Sequence, residues 1–394
     1  MRVALFVETY LPFINGVVTH VKSLKDGLER LGHEVLVVTA DPTVRHHELR
    51  DGVLRCPAHR SKRLYGFGVA APVIRTRLKF VQAFDPDIIH IHQEFGIGLS
   101  GALIARKLHK PLVYTLHTMY DEYIYYVAPK PLIKTVKKIS HRYTRFLATR
   151  ASALTGPSKK CEEYFREVGV TKDVSVIPNP VELDLFNPDQ IDEEKKRAFR
   201  QKYKIDDDVM IACFVGRLGR EKSCDILLDY WAKSVRPEDR MHLIIIGDGP
   251  SKPELEEQAA KLGISDMVTF TGKVLHEELP PYLASCDVYV TASLSDTNSI
   301  SMLEGMATGL PVLQRNDPLN ADQVRNGVNG YIFNNAKEMG DILRQIKSKT
   351  PEELKILKKS VISSVKSSGA EDLANYVLTV YHKLYSQSNQ SVDQ

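Results

Sequence analysis

Two cations stand in a short loop between a predicted strand and a predicted helix. The apolar run at residues 210–215 predicts a strand, the loop GRLGREKS contains Arg217 and Lys222, and a helix begins near Cys224. An arginine can bind a phosphate through two parallel hydrogen bonds, and a lysine adds a compact positive charge. The pair therefore suits a diphosphate, although two cations in a loop are also typical of an ordinary charged surface.

A polar loop leads into a second helix within residues 291–312. We expect this helix to open near Ser299 and to end at Gly309. The first-turn N–H groups of a helix have no intrahelical acceptor, so a polar loop before a helix is a ready anion site. Asp296 in the loop and Glu304 in the helix add two carboxylates, eight positions apart, beside that site.

The N-terminal half also places polar residues where predicted strands end. Gly16 lies where a loop meets a helix, and a residue without a Cβ allows close approach to a phosphate, although a simple turn is the alternative. His90, His92 and His117 lie at or near strand ends. A single histidine there is usually structural, but three at one predicted rim favour a functional role. Their spacing does not resemble a zinc ligand set, so we predict no metal.

These residues need strands that end at a common edge. Residues 3–7 and 35–38 are apolar runs that flank an amphipathic helix, and residues 210–215 begin a similar strand–loop–helix pattern. Such βαβ openings predict parallel sheets that bind ligands at the carboxyl ends of their strands. The fold class is therefore α/β, with two facing Rossmann-like domains, because 394 residues exceed what one core supports.

The domain boundaries follow from charge and from proline. We assign residues 1–185 to an N-terminal domain and residues 195–370 to a C-terminal domain, with the linker in the charged segment 182–204. The final amphipathic helix, residues 371–386, is expected to pack back on the N-terminal domain.

Positive charge is concentrated in the first half of the chain. Residues 1–190 hold 27 Lys and Arg against 19 Asp and Glu, whereas the remainder holds 26 against 30. A basic half beside an acidic half suggests that the basic half meets an anionic partner. No nucleic-acid-binding motif accompanies the charge, so nucleic acid is not expected.

A basic amphipathic helix is predicted between Lys130 and Arg150, which contains no acidic residue. Helices of this kind lie on anionic membranes, although a core helix with a solvated basic face is the alternative. Basic clusters at residues 60–63 and 75–79 flank the apolar segment 64–73 and favour the membrane. The predicted membrane-binding residues are Lys134, Lys137, Lys138, Arg142 and Arg145.

The overall composition is that of a globular protein, with 43% hydrophobic and 26% charged residues. No apolar run is long enough to span a bilayer, and the N-terminus reads as a strand rather than a signal peptide. The five cysteines are scattered, as in a reduced cytoplasmic protein. We therefore expect a cytoplasmic protein that is peripherally attached to the inner face of the cell membrane.

The motifs resemble those of the retaining, nucleotide-sugar-dependent glycosyltransferases of family 4, which have the GT-B architecture. The motifs that carry the resemblance are GRLGREK (216–222), GDGP (247–250) and the pair Asp296 and Glu304. Within the family the chain is most similar to bacterial diacylglycerol glucosyltransferases, which are monotopic membrane enzymes. The segments that carry this similarity are GVVTHV (16–21), VYTLHTMYDEYIYYV (113–127) and IIIGDGPSKPEL (244–255).

The resemblance implies a role for each residue of the motifs. Arg217 and Lys222 would neutralise the donor diphosphate and stabilise charge on the leaving group. Gly16 would touch the same diphosphate from the other domain. Asp296 and His117 would lie by the donor sugar.

Further contacts to the donor are implied in the same way. Glu304 would hold the ribose hydroxyls, and Val274 would present its backbone to the base. The N-terminus of the helix would bind through Asn298, Ser299 and Ile300.

Two positions depart from the family's pattern. Asp296 stands where the family usually has a glutamate, and Ser299 stands where it usually has a glycine. The shorter carboxylate can leave a sugar hydroxyl to water, and the Cβ of Ser299 can shift the phosphate.

The resemblance implies transfer of a hexose from a nucleotide sugar, such as UDP-glucose, to a hydroxyl acceptor, such as diacylglycerol. It implies no cofactor and no metal. Three alternatives remain open: a soluble transferase acting on a polysaccharide, protein or small molecule; a sugar-nucleotide epimerase; and a non-catalytic binder of nucleotide sugars.

Overall fold

The computed structural model describes residues 1–60, 68–73, 75–320 and 322–390. The chain forms two compact units, one of Met1–Pro180 with Gly369–Gln394 and one of Val181–Ser368. Residues 182–204, which the sequence places between the domains, belong to the second unit and include the helix Glu193–Tyr203.

The N-terminal unit is built on a sheet of nine strands within the described residues. Its strands are β1 (Arg2–Val7), β2 (Glu34–Asp41), β3 (Glu48–Arg50), β4 (Val53–Arg60), β5 (Gly68–Ala70), β6 (Ile88–Ile91), β7 (Leu112–Thr115), β8 (Ala153–Gly156) and β9 (Val174–Val176). The order is β3-β4-β2-β1-β6-β7-β8-β9, and β5 pairs with β4.

Most pairs in this sheet are parallel, but the expectation of a wholly parallel sheet is wrong at one edge. The β3–β4 and β4–β5 pairs are antiparallel. Asp51 and Gly52 join β3 to β4 with φ of 51° and 72°. Positive φ at both central residues is what a tight two-residue hairpin turn requires, and Asp-Gly is a preferred sequence for it.

Helices cover both faces of the N-terminal sheet, so its central strand β1 is apolar at every position from Val3 to Val7. The helices of this unit are α1 (Gly16–Arg30), α2 (Arg75–Phe84), α3 (Gly96–Leu108), α4 (Ile124–Val127), α5 (Ile133–Arg150), α6 (Lys159–Glu167) and α14 (Ala370–Gln390). In β1, Ala4 and Phe6 pack on one face, whereas Val3, Leu5 and Val7 pack on the other. Burial on both faces explains the unbroken apolar run.

The C-terminal helix α14 packs along α1. Leu373 and Tyr381 join the same apolar cluster as Leu28. A Cβ at Gly27 would lie 2.1 Å from the Ala370 carbonyl oxygen, so glycine permits this close approach.

The C-terminal unit has a six-stranded, wholly parallel sheet in its described residues. Its strands are β10 (Met210–Val215), β11 (Met241–Ile246), β12 (Val268–Gly272), β13 (Val288–Thr291), β14 (Val312–Arg315) and β15 (Gly330–Phe333), in the order β12-β11-β10-β13-β14-β15. Its helices are α7 (Glu193–Tyr203), α8 (Cys224–Ser234), α9 (Lys252–Lys261), α10 (Leu279–Ala284), α11 (Ile300–Ala307), α12 (Ala336–Lys347) and α13 (Pro351–Ser364).

The strand order reverses once in each sheet, between β1 and β6 and between β10 and β13. In open α/β sheets, ligands bind outside the carboxyl ends of the strands at such a switch point. The loops that follow these strands therefore form the candidate site of each unit. None of the described helices combines the length and the hydrophobicity needed to cross a bilayer.

Candidate active site

The loop after β10 carries the two predicted diphosphate-binding cations. Arg217 is partly buried, and Lys222 ends a short 3-10 turn, Arg220–Lys222, that precedes α8. The GDGP segment packs against this loop. A Cβ at Gly247 would lie 1.9 Å from the Gly216 carbonyl oxygen, and one at Gly249 would lie 2.5 Å from that of Leu218. These glycines therefore let two backbones meet at the switch point.

Lys222 and Asp296 form an ion pair across the switch point. The Lys222 Nζ donates to the Asp296 Oδ1 at 2.6 Å, and the two side chains are 20% and 16% exposed. Lys222 follows β10 and Asp296 follows β13, so the strand order brings together two residues that belong to separate motifs. A cation and a carboxylate are thus held in one place.

The N-terminus of α11 is tightly anchored. The Ser299 Oγ caps the helix by accepting from the Met302 N–H at 3.4 Å, and Gln323 accepts from the Ser299 N–H at 2.9 Å. The Ser301 hydroxyl lies 2.8 Å from the Tyr289 hydroxyl, so a side chain of β13 also supports this terminus. Helix geometry leaves the N–H groups of Ile300 and Ser301 for an anion, whereas that of Ser299 is committed to Gln323.

Glu304 is buried against a histidine that the sequence did not single out. The His276 Nε2 lies 2.9 Å from the Glu304 Oε1, and its Nδ1 lies 3.5 Å from the Glu182 Oε2. Burial raises the pKa of Glu304. Burial also acts to lower the pKa of His276, but the hydrogen bond and charge of Glu304 outweigh it, so the net pKa is raised. Val274, which is partly buried, lies two residues before His276.

The N-terminal unit brings histidines from three segments together. His92 follows β6, His117 follows β7, and His20 lies in α1. The His92 Nδ1 is 3.0 Å from the His117 Nε2, and the rings of His20 and His117 meet edge to face at 4.5 Å. Burial lowers the pKa of His20 to about 4, and it lowers the pKa of His92 and of His117 well below the usual value. These imidazoles are therefore neutral near pH 7.

His90, the remaining strand-end histidine, is held on both ring nitrogens. Its Nδ1 lies 2.6 Å from the Tyr381 hydroxyl of α14, and its Nε2 lies 2.6 Å from the Thr115 hydroxyl. The His90 ring packs on the His92 ring at 4.0 Å. His90 thus ties α14 to the sheet and supports His92.

Gly16 is the first residue of α1, at the switch point of the N-terminal unit. Asn15 caps this helix, because its Oδ1 accepts from the Val18 N–H at 3.0 Å. An asparagine before a helix is a recognised start signal that the sequence analysis did not use.

Glu94 joins the loop after β6 to the loop after β7. Its carboxylate accepts hydrogen bonds from the hydroxyls of Tyr114 and Tyr120, and its carbonyl oxygen accepts one from Tyr143 of α5. Burial raises the pKa of Glu94 to about 7. The residue therefore fixes α5 and the Tyr120 loop to the strand end that carries His92.

Among the described residues, two groups of side chains are close enough to hold a metal ion. The nitrogens of His20, His92 and His117 lie within 4.8 Å of one another, but two of these rings already bond to each other. Asp121, His141 and Glu167 form the second group.

In the second group, a lysine already supplies the positive charge. The Lys137 Nζ lies 2.9 Å from the Asp121 Oδ2 and 3.3 Å from the Glu167 Oε1. The second group therefore does not require an ion to balance the charge of its carboxylates.

Comparison with known proteins identifies the family. The profile described as "Glycosyltransferase Family 4" matches residues 14–185, and that of "Glycosyl transferases group 1" matches residues 195–362. The alpha-monoglucosyldiacylglycerol synthase of Acholeplasma laidlawii is 32% identical over 402 residues, covering all of both chains. The chain belongs to glycosyltransferase family 4.

Other relatives and solved structures agree with this assignment. The glycosyltransferase is 30% identical to the alpha-monoglucosyldiacylglycerol synthase of Streptococcus pneumoniae over 360 residues. This alignment covers 89% of this chain and 79% of the synthase. The crystal structure of Anabaena HepE in complex with UDP matches with a TM-score of 0.74 at 17% identity, over 97% of this chain and 100% of that one. The family and the α/β fold class of two Rossmann-like domains, as in GT-B proteins, are thus confirmed.

The apolar residues in and next to the basic helix α5 of the glycosyltransferase differ in their burial. Leu147 is buried, whereas Leu132, just before α5, and Ile139 and Phe146, within it, follow one another at intervals of seven residues and are 52%, 62% and 38% exposed. Of the predicted membrane-binding residues, Lys137 is committed to Asp121 and Glu167. The other four side chains are exposed: Lys134, Lys138, Arg142 and Arg145.

The basic residues of the two flanking clusters, 60–63 and 75–79, differ in their exposure. Lys62 and Arg63 lie outside the described residues. Arg77 is wholly buried, and its Nη1 donates to the Ala71 carbonyl oxygen at 3.0 Å, so its assignment to a surface cluster is wrong. Arg60 and Arg75 are exposed.

Proposed function

We propose that this glycosyltransferase transfers a hexose, with retention of configuration, from a nucleotide sugar such as UDP-glucose to a hydroxyl of a membrane lipid such as diacylglycerol. The observation that carries the proposal is the 2.6 Å pair of Lys222 and Asp296, in the loops that flank the β10–β13 switch point. This pair supplies a cation for the diphosphate and a carboxylate for the sugar within one site.

Binding of the donor would rearrange this pair. Lys222 would turn from Asp296 to the diphosphate, joined by Arg217 and by the N–H groups of Ile300 and Ser301. The released Asp296 carboxylate would then accept hydrogen bonds from sugar hydroxyls. Glu304 would do the same for the ribose.

The reaction needs stabilisation of a leaving group more than it needs a protein nucleophile. The bond between the sugar C1 and the phosphate oxygen breaks, and a bond from C1 to the acceptor oxygen forms on the same face. The acceptor's proton passes to the leaving phosphate oxygen. Arg217, Lys222 and the helix N–H groups stabilise the negative charge that grows on the diphosphate, so these cations do the work of a metal.

The choice of a lipid acceptor is supported by α5 and by the relatives. Both alpha-monoglucosyldiacylglycerol synthases carry a lipid in their names. The exposed apolar side chains of Leu132, Ile139 and Phe146, surrounded by exposed basic residues, suit a helix that lies on an anionic bilayer. We propose peripheral attachment to the inner face of the cell membrane.

The test is product analysis with pure protein. Nucleotide sugars are first screened by thermal shift, because a ligand that binds the native state raises its stability. The best donor is then incubated with vesicles that contain diacylglycerol and an anionic lipid, and the product is examined by mass spectrometry and NMR. An α-linked glycolipid from an α-linked donor is expected.

Other products would point to the alternatives. A β-linked product would overturn retention, and transfer only to soluble acceptors would overturn the lipid assignment. A changed donor in the absence of any acceptor would indicate an epimerase, and binding without any product would indicate a non-catalytic binder.

A further inference from the structure

We propose that His92 is a positioning residue that fixes the tautomer of His117, so that His117 offers an Nδ1–H donor to a substrate oxygen. This inference rests on the proposed function, because it takes His117 to lie by the substrate.

His92 and His117 share one hydrogen atom between their rings. The His92 Nδ1 and the His117 Nε2 lie 3.0 Å apart, which is a hydrogen-bond distance. Since both rings are neutral, one of these two nitrogens carries the proton and the other accepts. Either His92 donates to His117, or His117 donates to His92.

The other nitrogen of His92 distinguishes the two arrangements. The His92 Nε2 is buried and has no hydrogen-bond partner within the described part of the chain. If His117 donated, His92 would carry its proton on Nε2, as a buried N–H without an acceptor. Unpaired buried N–H groups are rarer than unpaired acceptors, so the favoured arrangement places the His92 proton on Nδ1.

The tautomer of His117 follows from that of His92. Because the His117 Nε2 accepts a hydrogen bond from His92, the proton of neutral His117 resides on Nδ1. This nitrogen can donate to a hydroxyl or ring oxygen of the substrate but cannot accept a proton. The role agrees with a reaction in which the leaving phosphate, rather than a side chain, takes the proton of the acceptor.

The surroundings of His92 hold its ring in place. It packs at 4.0 Å on His90, whose two nitrogens are engaged by Thr115 and Tyr381. His20, which meets His117 edge to face, is held in turn by Asn179, with 2.9 Å between the His20 Nδ1 and the Asn179 Oδ1. A hydrogen-bond donor on a ring of fixed angle contributes more to the reaction rate than a mobile one, because its orientation is set before the reaction begins.

The first experiment reads the tautomers directly. NMR of the full-length protein with 15N-labelled histidine distinguishes a protonated from an unprotonated ring nitrogen. We expect both His92 and His117 to carry their proton on Nδ1 near pH 7. A proton on the Nε2 of either residue would overturn the proposal, and so would a stoichiometric zinc ion in the purified protein, because it would replace the hydrogen bond between the rings.

The second experiment separates positioning from packing. His92→Phe keeps a flat ring but removes the donor, whereas His92→Asn fills the site less well but can place its amide N–H near the position of Nδ1. We expect His92→Phe to lose about 10–100-fold in kcat with little change in the KM for the donor, and His92→Asn to keep most of the activity.

Which of the two variants loses more activity decides between positioning and packing. If His92 only filled space, His92→Asn would be the more damaged variant, and that result would overturn the proposal. His242→Phe, in the C-terminal unit, is the matched control, because His242 makes one side-chain hydrogen bond to Thr269 away from both switch points. The NMR result needs no substrate, so it stands even if the proposed transferase activity is not found.

Discussion

The loops after β10 and β13 hold an ion pair, Lys222 and Asp296, whereas the loops after β6 and β7 hold two neutral imidazoles, His92 and His117. Both sets lie at the carboxyl ends of strands in similar sheets. The ionic pair remains partly exposed, whereas His92 is wholly buried. The same architecture thus provides charge in one unit and directed, uncharged hydrogen bonds in the other.

The difference matches two chemical tasks. A diphosphate that gains negative charge during the reaction needs cations. A sugar or acceptor hydroxyl needs hydrogen bonds of fixed direction, which neutral side chains supply without the desolvation cost of a buried charge. Predictions that separate charge from geometry test this division.

The largest effect is expected from the cations. Arg217→Ala or Lys222→Ala should reduce kcat by roughly 10²–10³, the size found when one charge-stabilising group is removed. Steady-state rates at saturating donor measure it. The control is Lys261→Ala, since Lys261 pairs with Glu257 on the exposed face of α9. Unchanged turnover in both site variants would refute the electrostatic role of this loop.

Sequence reasoning found this loop because the relevant signals are local. A strand, a loop with two cations and a helix can be recognised within about fifteen residues of sequence. The contact of Lys222 with Asp296, 74 positions apart, was not predictable from spacing. It follows from the strand order, which places β13 beside β10.

Other features were missed for different reasons. The Asp51–Gly52 hairpin had a clear local signal that was not used. The partners of His276 had none, because Glu182 and Glu304 lie far from it in the sequence. Arg77 was predicted to be a surface cation, yet it is buried. Its burial could not be predicted, because no pattern in a short basic segment reveals a tertiary partner.

A smaller effect is expected at Glu304. Glu304→Gln keeps the shape of the side chain but removes its charge, and a charged acceptor makes the stronger hydrogen bond to a hydroxyl. Affinity for the nucleotide should fall by about tenfold, or about 1.4 kcal/mol, in a calorimetric titration. His276→Gln should weaken binding less, because His276 acts through Glu304. Equal affinity of Glu304→Gln and the unaltered protein for the nucleotide would contradict the proposed contact of Glu304 with the ribose.

The exposed positive charge of helix α5, in the N-terminal unit, is expected to contribute to membrane binding. Lys138→Ala should weaken binding to anionic vesicles about fivefold, since each such residue contributes about 1 kcal/mol near a charged membrane. Lys137→Ala is the matched comparison and should have less effect, because Asp121 and Glu167 already neutralise that ammonium.

Sedimentation with vesicles at low and high salt measures both variants. High salt should shrink the difference between them, because exposed charges are screened. Equal losses in the two variants would argue that α5 does not use its unpaired charge to bind the membrane.

The smallest effect is expected on stability, from the protonation of His276 in the candidate site of the C-terminal unit. Glu304 and Glu182 raise the pKa of His276 above its ordinary value of 6.5, against the opposing effect of burial. The folded state then binds this proton more tightly than the unfolded chain does. The resulting stabilisation is complete below the unfolded pKa and is lost as the pH rises through the higher folded pKa.

Comparing the protein with its His276→Gln variant tests this sign. The difference in Tm should be greater near pH 6 than near pH 9, by about 2 °C. His242→Gln is the opposite comparison, because burial lowers the pKa of His242 to about 4, so that protonation of this ring in the unfolded chain reduces stability near pH 6 and its difference in Tm should change with the opposite sign. If the His276→Gln difference were instead smaller near pH 6 than near pH 9, His276 would be neutral in the folded state, as His20 and His92 are. The contrast between a charged C-terminal site and an uncharged N-terminal cluster would then be confined to the loops after β10 and β13.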